Sequence, residues 1–248
     1  PPLNPALISE KISRYWRVSV VEVTGSTQDD LSQSVKKDAT RSGTLLIANF
    51  QSSGRGRLDR TFSAPPSSAL TLSFYLTPHL DRAEWSFLPL LTGLSAISSL
   101  KNLDAGLRVS LKWPNDLLVN GRKLGGILVE ATSDGVVIGI GVNVAMAQDQ
   151  LPTKDATSLL LEDFACLDRN LIAVELLNVF HDLYERWQAG EDMRHLYREN
   201  CETLGMTIRV DLPNGPPATG KATDISRTGE LIMESGLRVS VGDIVHLR

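Results

Sequence analysis

Glycine and arginine alternate in the segment Gly-Arg-Gly-Arg-Leu-Asp-Arg, which occupies residues 54–60 and is called the glycine-arginine loop below. Glycine lets the main chain approach a ligand closely, and arginine carries a planar fork of donors that suits carboxylate and phosphate groups. The segment therefore predicts a loop that closes over an anion. A solvated basic loop is the alternative, because short glycine motifs have many chance matches.

Two more segments carry cations, Lys-Trp-Pro-Asn-Asp at 112–116 and Lys-Leu-Gly-Gly at 123–126. Proline cannot donate to a strand ladder, so we expect Lys112, Asn115 and Asp116 to be displayed at the end of a strand. Glycines inside a strand predict a bulge or a close approach of another group to the backbone. The alternative for Lys112 and Asp116 is a local ion pair that only holds the turn.

A single amide, Asn143, interrupts the apolar strand pattern Gly-Ile-Gly-Val-Asn-Val at 139–144. A buried amide must be hydrogen-bonded. Two interpretations stay open, since Asn143 either ties down a turn or reads the edge of a base.

The histidines and cysteines argue against metal and triad chemistry. The four histidines are scattered away from the glycine-rich segments, and Cys166 and Cys201 do not form a metal-type pair, so we expect both thiols to be reduced and structural. The sequence has neither a Walker motif nor a dinucleotide fingerprint. What remains is cations, amides, hydroxyls and glycine, which stabilise charge on an anionic ligand in a reaction whose substrates supply the nucleophiles.

Composition is that of an ordinary globular protein, with 42% hydrophobic and 22% charged residues. The 25 Lys and Arg against 29 Asp and Glu give a formal net charge of -4, which disfavours general nucleic-acid binding and favours a small anionic ligand for the basic loop. A secretory pattern and a long apolar run are both missing from the sequence, so we expect a cytoplasmic protein without a membrane partner.

The elements that position these segments mix helices with strands. Apolar residues at helical spacing predict helices at 5–16, 28–37, 84–100, 169–188 and 191–204. Apolar and β-branched runs predict strands at 18–23, 44–50, 70–76, 107–113, 116–119, 123–131 and 136–144, the last four joined by hairpin turns. Short β-rich runs follow residue 206. We therefore expect an α+β fold with two domains, 1–204 and a small barrel-like β domain at 205–248.

Taken in order, the motifs resemble those of biotin protein ligases. The resemblance is carried by Gly-Ser-Thr-Gln at 25–28, Gln-Ser-Ser-Gly-Arg-Gly-Arg at 51–57, Lys-Trp-Pro-Asn-Asp at 112–116, Arg-Lys-Leu-Gly-Gly-Ile-Leu at 122–128 and Gly-Val-Asn at 141–143. It covers nearly the whole chain. It implies a catalytic domain related in fold to class II aminoacyl-tRNA synthetases and lipoate ligases, with a mixed, largely antiparallel sheet, followed by an SH3-like β-barrel.

The resemblance also implies an activity. Biotin and ATP, with Mg²⁺, would form biotinyl-5′-AMP and pyrophosphate, and biotin would then pass to one lysine of the biotin carboxyl carrier domain of a carboxylase. Rival interpretations are a lipoate or octanoate protein ligase or transferase of the same fold, and an inactive ligand-binding module.

Roles for individual residues follow from the same resemblance. The implied biotin-binding residues are Ser26, Thr27, Gln28, Gln51, Arg55, Gly56, Arg57 and Lys123. The implied ATP- and adenylate-binding residues are Arg57, Arg60, Phe62, Lys112, Asn115, Lys123 and Asn143. The implied catalytic residues are Lys123, Arg57, Lys112 and Asp116, with Asp116 orienting Arg57 or Lys112 and with Asp116 or a phosphate oxygen as the proton acceptor in the transfer step.

The chain departs from the family pattern in a few places. Gln28 stands where Asn is usual, Leu58-Asp59 interrupts the basic loop, and Phe62 replaces Trp. Gln28 keeps an amide and Phe62 a flat apolar ring, so we expect both to be adjustments. Asp59 either pairs with Arg60 in solvent or weakens retention of the adenylate, and we expect the pairing.

The sequence begins just before the catalytic domain. We therefore expect a monofunctional ligase without the DNA-binding winged helix of some bacterial members, and no DNA partner. A monomer and a weak homodimer both remain open.

Overall fold

The computed structural model describes residues 1–37, 40–58, 60–212, 216–240 and 242–247. The strands up to residue 143 are β1 (Arg17–Thr24), β2 (Thr44–Gln51), β3 (Gly54–Arg55), β4 (Thr61–Phe62), β5 (Ala69–Leu76), β6 (Val109–Lys112), β7 (Asp116–Val119), β8 (Arg122–Ala131) and β9 (Val136–Asn143). The helices are α1 (Pro5–Lys11), α2 (Thr27–Lys36), α3 (Leu88–Leu103), α4 (Arg169–Gln188) and α5 (Arg194–Asn200).

A seven-stranded mixed sheet forms the centre of the molecule, in the order β1-β2-β5-β9-β8-β7-β6. Its β1 and β2 run parallel, while every other neighbouring pair is antiparallel. The strands from β6 to β9 follow one another through short turns, as the hairpin signals predicted. The α+β class and the mixed, largely antiparallel sheet are therefore confirmed.

The two faces of the sheet differ in polarity, which β5 shows most clearly. Leu70, Leu72 and Phe74 belong to the main hydrophobic core, together with the apolar side chains of α3 and α4. Thr71 and Ser73 alternate with them and lie on the opposite face, because successive strand residues point to opposite sides. The face that carries these hydroxyls is available for a ligand.

Helix α2 covers part of that second face. Ser26 caps it by accepting from the Asp29 backbone N–H at 3.4 Å, and acidic residues occupy its first turn, where they suit the helix dipole. Leu31 of α2 packs in a small separate cluster with Tyr75 and Val137. The cap and this cluster fix the start of α2 against the sheet.

A second, smaller sheet follows α5. It is antiparallel and five-stranded, in the order β13-β12-β11-β10-β14, with β10 (Thr207–Asp211), β11 (Ala218–Ile225), β12 (Leu231–Met233), β13 (Arg238–Val239) and β14 (Asp243–His246). It is tied to the large sheet by Trp113, whose Nε1 donates to the Gly229 carbonyl oxygen at 2.9 Å. Closure into an SH3-like barrel and the division at residues 204 and 205 stay predictions.

Several predicted helices are shorter in the structure. The helix expected at 84–100 begins instead as a 3-10 turn at Arg82–Phe87, and α3 starts at Leu88 because Pro89 fits only in the first turn of a helix. The helix expected at 5–16 ends at Lys11, which frees Trp16 to pack edge-on against Phe74. Within the described ranges, no helix has the length and apolar character needed to cross a bilayer.

Candidate functional site

A cavity of about 560 Å³ opens on the face of the large sheet that carries Thr71 and Ser73. Every residue to which the family resemblance gives a role lines it. These residues are Ser26, Thr27, Gln28, Gln51, Arg55, Gly56, Arg57, Arg60, Phe62, Lys112, Asn115, Asp116, Lys123 and Asn143. Five separate motifs thus meet in one place: residues 25–28 lie at the junction of β1 and α2, residues 51–57 follow from the end of β2, and the other three motifs lie on β6 to β9.

One part of the lining is built from hydroxyl and amide groups, and we call it the amide–hydroxyl cluster: Thr27, Gln28, Gln51 and Ser73. Gln51 Oε1 accepts from the Thr27 backbone N–H at 2.8 Å and lies 3.0 Å from Thr27 Oγ1. Ser73 Oγ lies 2.8 Å from Thr27 Oγ1 and 3.2 Å from Gln28 Oε1. Ser73 belongs to no motif, and the sequence analysis missed it. Only the alternation of polar and apolar residues within β5 could have indicated that Ser73 faces the cavity.

Arg55 anchors the start of the glycine-arginine loop outside the cavity centre. Its guanidinium donates to Asp29 of α2 at 2.7 Å and to both carboxylate oxygens of Glu130 on β8, at 2.7 and 3.2 Å. These hydrogen bonds, to Glu130 first and to Asp29 second, raise the pKa of Arg55. Glu130 also accepts from Gln28 Nε2 at 2.9 Å, so one carboxylate holds both the loop and the amide–hydroxyl cluster.

The opposite part of the lining is basic, and we call it the cationic cluster: Arg57, Arg60, Lys112 and Lys123. Arg57 Nη1 donates to Asn115 Oδ1 at 3.1 Å, and Asn115 Nδ2 donates in turn to the Ile127 carbonyl oxygen at 2.8 Å. Burial is the main influence on the pKa of Arg57 and lowers it. A half-buried guanidinium whose hydrogen-bond partner is a neutral amide is suited to receive an anion.

Lys123 forms an ion pair with Asp116, Nζ to Oδ1 at 2.5 Å. The predicted partners of Asp116 were Arg57 or Lys112, and both assignments are wrong in the structure. The reason lies in the strand register: Asp116 is opposite Gly126, and the Lys123 side chain folds back over this glycine, whose missing Cβ would sit 3.7 Å from Nζ. Asp116 acts on Arg57 only through longer-range charge.

Lys112 faces Asp116 across β6 and β7, but no ion pair forms between them. The local ion pair considered as an alternative is therefore also wrong. Among the residues that the structure describes, the Lys112 ammonium group has no hydrogen-bonded or ion-pair partner, although Lys112 lines the cavity. Its charge is available to a ligand.

Asn143 is buried and donates from Nδ2 to the Thr157 carbonyl oxygen at 2.9 Å. This bond ties down the segment around residue 157, as one of the two interpretations expected, and the reading of a base edge stays a prediction. The same segment is held to β8 by the Thr157 backbone N–H, which donates to the Lys123 carbonyl oxygen at 2.8 Å. Asn143 thus helps to place the backbone of Lys123.

Two glycines of β9 leave room for side chains that reach the sheet from above. A Cβ on Gly141 would lie 2.7 Å from the Phe62 ring, and a Cβ on Gly139 would lie 2.7 Å from Gln28 Oε1. A Cβ on Gly125 of β8 would come within 2.3 Å of the Gly141 carbonyl oxygen. The close approach predicted from the glycines in these strands is confirmed.

The C-terminal sheet closes one side of the cavity. Asp243 forms an ion pair with Arg60, and Asp211, Ile244 and Val245 also face the cavity. No sequence motif indicates this contribution, since Asp243 is 183 positions from Arg60. The prediction for Asp59 falls outside the described residues.

Within the described ranges, no group of three or more His, Cys, Asp or Glu side chains is placed to hold a metal ion.

Comparison with known proteins gives one consistent result. The model of the biotin/lipoate A/B protein ligase family matches residues 20–144. A biotin–(acetyl-CoA-carboxylase) ligase of Mycobacterium tuberculosis is 37% identical over 259 aligned positions, which cover 100% of this chain and 97% of that protein. The bifunctional ligase/repressor BirA of Bacillus spizizenii is 31% identical over 226 positions, covering 86% of this chain and 68% of that protein.

Among solved structures, the biotin protein ligase of Aquifex aeolicus in complex with biotin and ATP superimposes with a TM-score of 0.80 and 26% sequence identity. The match covers 93% of this chain and 99% of that chain.

Proposed function

Because this chain belongs to the biotin/lipoate A/B protein ligase family, we propose that it is a biotin protein ligase, which activates biotin with ATP and transfers it to a lysine of a biotin carboxyl carrier domain. The relative from M. tuberculosis carries the name of this activity, and the A. aeolicus relative is a complex with both small substrates. The partner is then the carrier domain of a biotin-dependent carboxylase.

The observation that carries the proposal is the pairing of two unlike clusters in one cavity. The amide–hydroxyl cluster offers hydrogen-bonding groups that match a cyclic urea, and Ile127 and Leu128 add apolar surface for a fused ring. The cationic cluster offers positive charge for a carboxylate and phosphates. Biotin joined to adenylate has these features in the same molecule.

In the first step, an oxygen of the biotin carboxylate attacks the α-phosphorus of ATP. A new P–O bond forms, the bond to the bridging oxygen of the β-phosphate breaks, and pyrophosphate leaves. Carboxylate and phosphate repel each other, and Lys123, Lys112 and Arg57 are placed to offset that repulsion and to hold the two groups in line. Mg²⁺ would enter with ATP and would offset part of the phosphate charge.

In the second step, the amine of the carrier lysine attacks the acyl carbon of biotinyl-5′-AMP. A C–N bond forms, the C–O bond to AMP breaks, and one proton leaves the nitrogen. We assign that proton to Asp116 or to a phosphate oxygen of the adenylate. Asp116 accepts from Lys123 through Oδ1, which leaves its other carboxylate oxygen for this task.

The remaining assignments concern the adenylate. We place Arg60, Phe62, Asn115 and Asn143 on the adenylate side, and Ser26, Thr27, Gln51 and the backbone of Arg55 and Gly56 on the biotin side. All of these residues line the cavity, which supports the grouping.

Lipoate ligation is the nearest rival, since the family includes both activities. The dithiolane ring of lipoate has no N–H or carbonyl group that could hydrogen-bond to the amide–hydroxyl cluster. The polar groups of the cluster would then be buried against an apolar ring without a partner, which is unfavourable. The amide–hydroxyl cluster therefore favours biotin.

The decisive experiment incubates the protein with ATP, Mg²⁺, a carrier domain and either labelled biotin or labelled lipoate. With biotin alone, we expect labelled biotinyl-5′-AMP to form, pyrophosphate to be released, and the carrier domain to become labelled. Transfer of lipoate without biotin would contradict the proposal, and binding of biotin without any adenylate would favour the inactive binding module.

The proposal also covers the domain architecture of the protein and the compartment in which it acts. We propose that 1–204 is the catalytic domain, that 205–248 closes into an SH3-like barrel, and that the protein acts in the cytoplasm. Long-range proton contacts between β13 and β14 in an NMR spectrum would support the barrel. A spectrum in which the two strands stay apart would leave an open sheet.

A further inference from the structure

The amide–hydroxyl cluster has a hydrogen-bond direction that its buried groups fix. Gln28 is 3% exposed, and its Nε2 lies 2.9 Å from Glu130 Oε2 and 3.1 Å from the Val137 carbonyl oxygen. Both partners are acceptors, and Glu130 also accepts from Arg55. The nitrogen of the amide must therefore face them, which leaves Gln28 Oε1 facing Ser73 Oγ at 3.2 Å.

A hydroxyl group has one proton, which limits what Ser73 and Thr27 can do. Gln28 Oε1 carries no proton, so Ser73 donates to it and can only accept from the Thr27 hydroxyl, 2.8 Å away. Two hydroxyl oxygens 2.8 Å apart need a proton between them, so the Thr27 proton is directed at Ser73, and Gln51 Oε1 at 3.0 Å is the competing acceptor. Gln51 is oriented as well, because its Oε1 accepts from the Thr27 backbone N–H.

We propose that Gln28 and Ser73 are positioning residues that set the proton direction of the Thr27 hydroxyl. With this proton turned away from the cavity, Thr27 Oγ1 and Gln51 Oε1 each keep a lone pair for a ligand, and neither donates to it. This part of the cavity is then a receptor for N–H groups. The inference rests on the proposed function and gives Gln28 an indirect role, where the family resemblance implied direct contact with biotin.

The inference has a consequence for ligand selection. A cyclic urea presents two N–H groups, and a cyclic carbamate of almost the same shape presents an oxygen in place of one of them. In the native protein that oxygen would set its lone pairs against those of Thr27 or Gln51. A mismatch of this kind at a buried polar site costs a factor of about 100 or more in binding.

The test measures the binding of biotin and of its two cyclic carbamate analogues by isothermal titration calorimetry, without ATP. We expect the native protein to bind at least one carbamate about 100-fold more weakly than biotin. In Ser73→Ala the Thr27 proton is free to turn toward the ligand, so this preference is expected to fall to about tenfold or less. Ser73→Cys keeps a weak donor and is expected to lie between the two.

Thermal unfolding of each variant shows whether it is folded, and Ser73→Cys serves if Ser73→Ala is not. A variant that weakens biotin and both carbamates by one common factor would give Ser73 a structural role only and overturn the inference. Native protein that binds biotin but does not discriminate against the carbamates overturns it too, while leaving the proposed function standing. Native protein that binds no biotin removes both.

Discussion

The amide–hydroxyl cluster and the cationic cluster line the same cavity but are held in different ways. Thr27, Gln28 and Ser73 are 1–3% exposed and hydrogen-bond to other protein groups. Arg60 and Lys123 have side chains that are 62% and 44% exposed, and their partners are the carboxylates of the acidic residues opposite them. The amide–hydroxyl cluster is fixed by buried hydrogen bonds, whereas two of the four cations are held by ion pairs at the surface.

This difference separates two tasks in the cavity. Buried, mutually bonded groups keep one arrangement whether or not a ligand is present, so they select a ligand by its hydrogen-bond pattern. Exposed ion pairs contribute little stability and exchange readily with other anions. We expect the anionic groups of the substrates to compete with Asp243 for Arg60, while Asp116 stays beside Lys123.

The largest effect is expected at the cationic cluster. Lys123→Ala removes a cation from the point where two anions must meet, and we expect the rate of adenylate formation to fall by about 100-fold or more with the fold intact. Pyrophosphate release measures the rate, and thermal unfolding measures the fold. Near-normal turnover would remove Lys123 from the mechanism.

A matched control for Lys123 is its neighbour Arg122, which does not line the cavity. Arg122 donates to Glu162 at 2.6 Å, and Glu162 has a side chain only 6% exposed. Arg122→Ala is expected to lower the free energy of unfolding by about 1 kcal/mol while leaving adenylate formation unchanged. The two adjacent substitutions thus separate activity from stability.

A smaller effect is expected where the amide–hydroxyl cluster meets the loop. Arg55→Ala removes the guanidinium that joins Asp29 to Glu130, and Glu130 is the acceptor of Gln28 Nε2. We expect biotin to bind about tenfold more weakly in the absence of ATP, because the loop and the cluster lose a common anchor. Calorimetric titration with biotin measures this change.

The control for Arg55 is Arg186, another surface arginine of similar exposure that also pairs with two carboxylates, Asp182 and Glu191. Arg186 lies outside the cavity, so Arg186→Ala should bind biotin like the native protein. Equal loss of affinity in both variants would mean that any surface arginine of this kind matters, and the anchoring role of Arg55 would be lost.

The smallest effect is expected from Asp243→Asn. If the Asp243 carboxylate competes with the phosphates of ATP for Arg60, its neutralisation should lower the KM for ATP about two- to threefold, and high salt should reduce the difference. A KM that rises or does not change would show that the ion pair supports the site instead of competing with ATP.

The same comparison explains what sequence reasoning could reach. Short motifs of cations, glycine and amides contain Lys123, Asn115 and Arg57, so the neighbouring residues alone predict a role in binding an anion. The partners of such residues cannot be predicted in the same way. Glu130, the partner of Arg55, lies in an ordinary strand pattern 75 positions away. The role of Ser73 cannot be predicted from the sequence either, since a serine in a strand indicates only that one face of the strand is polar.

The misassigned partners of Asp116 have a related cause. Sequence proximity favoured Lys112, four positions away, as the partner of Asp116. The strand register instead places Asp116 opposite Gly126, where its carboxylate pairs with Lys123. Register depends on how three strands pair, and a one-residue change reverses every side chain. The predicted helix ends differ from the observed ones for a simpler reason. A cap or a proline decides within a single turn where a helix begins or ends, and a periodic sequence pattern does not resolve that turn.

The pairing of Arg60 with Asp243 also bears on how the molecule is made. During synthesis the glycine-arginine loop leaves the ribosome long before its acidic partner, which lies 183 residues further along the chain. Contacts between such distant residues form late, because the intervening chain must be ordered first. The cavity therefore gains its last wall only when β14 has been translated, and a nascent chain interrupted before that point would hold Arg60 without its carboxylate partner.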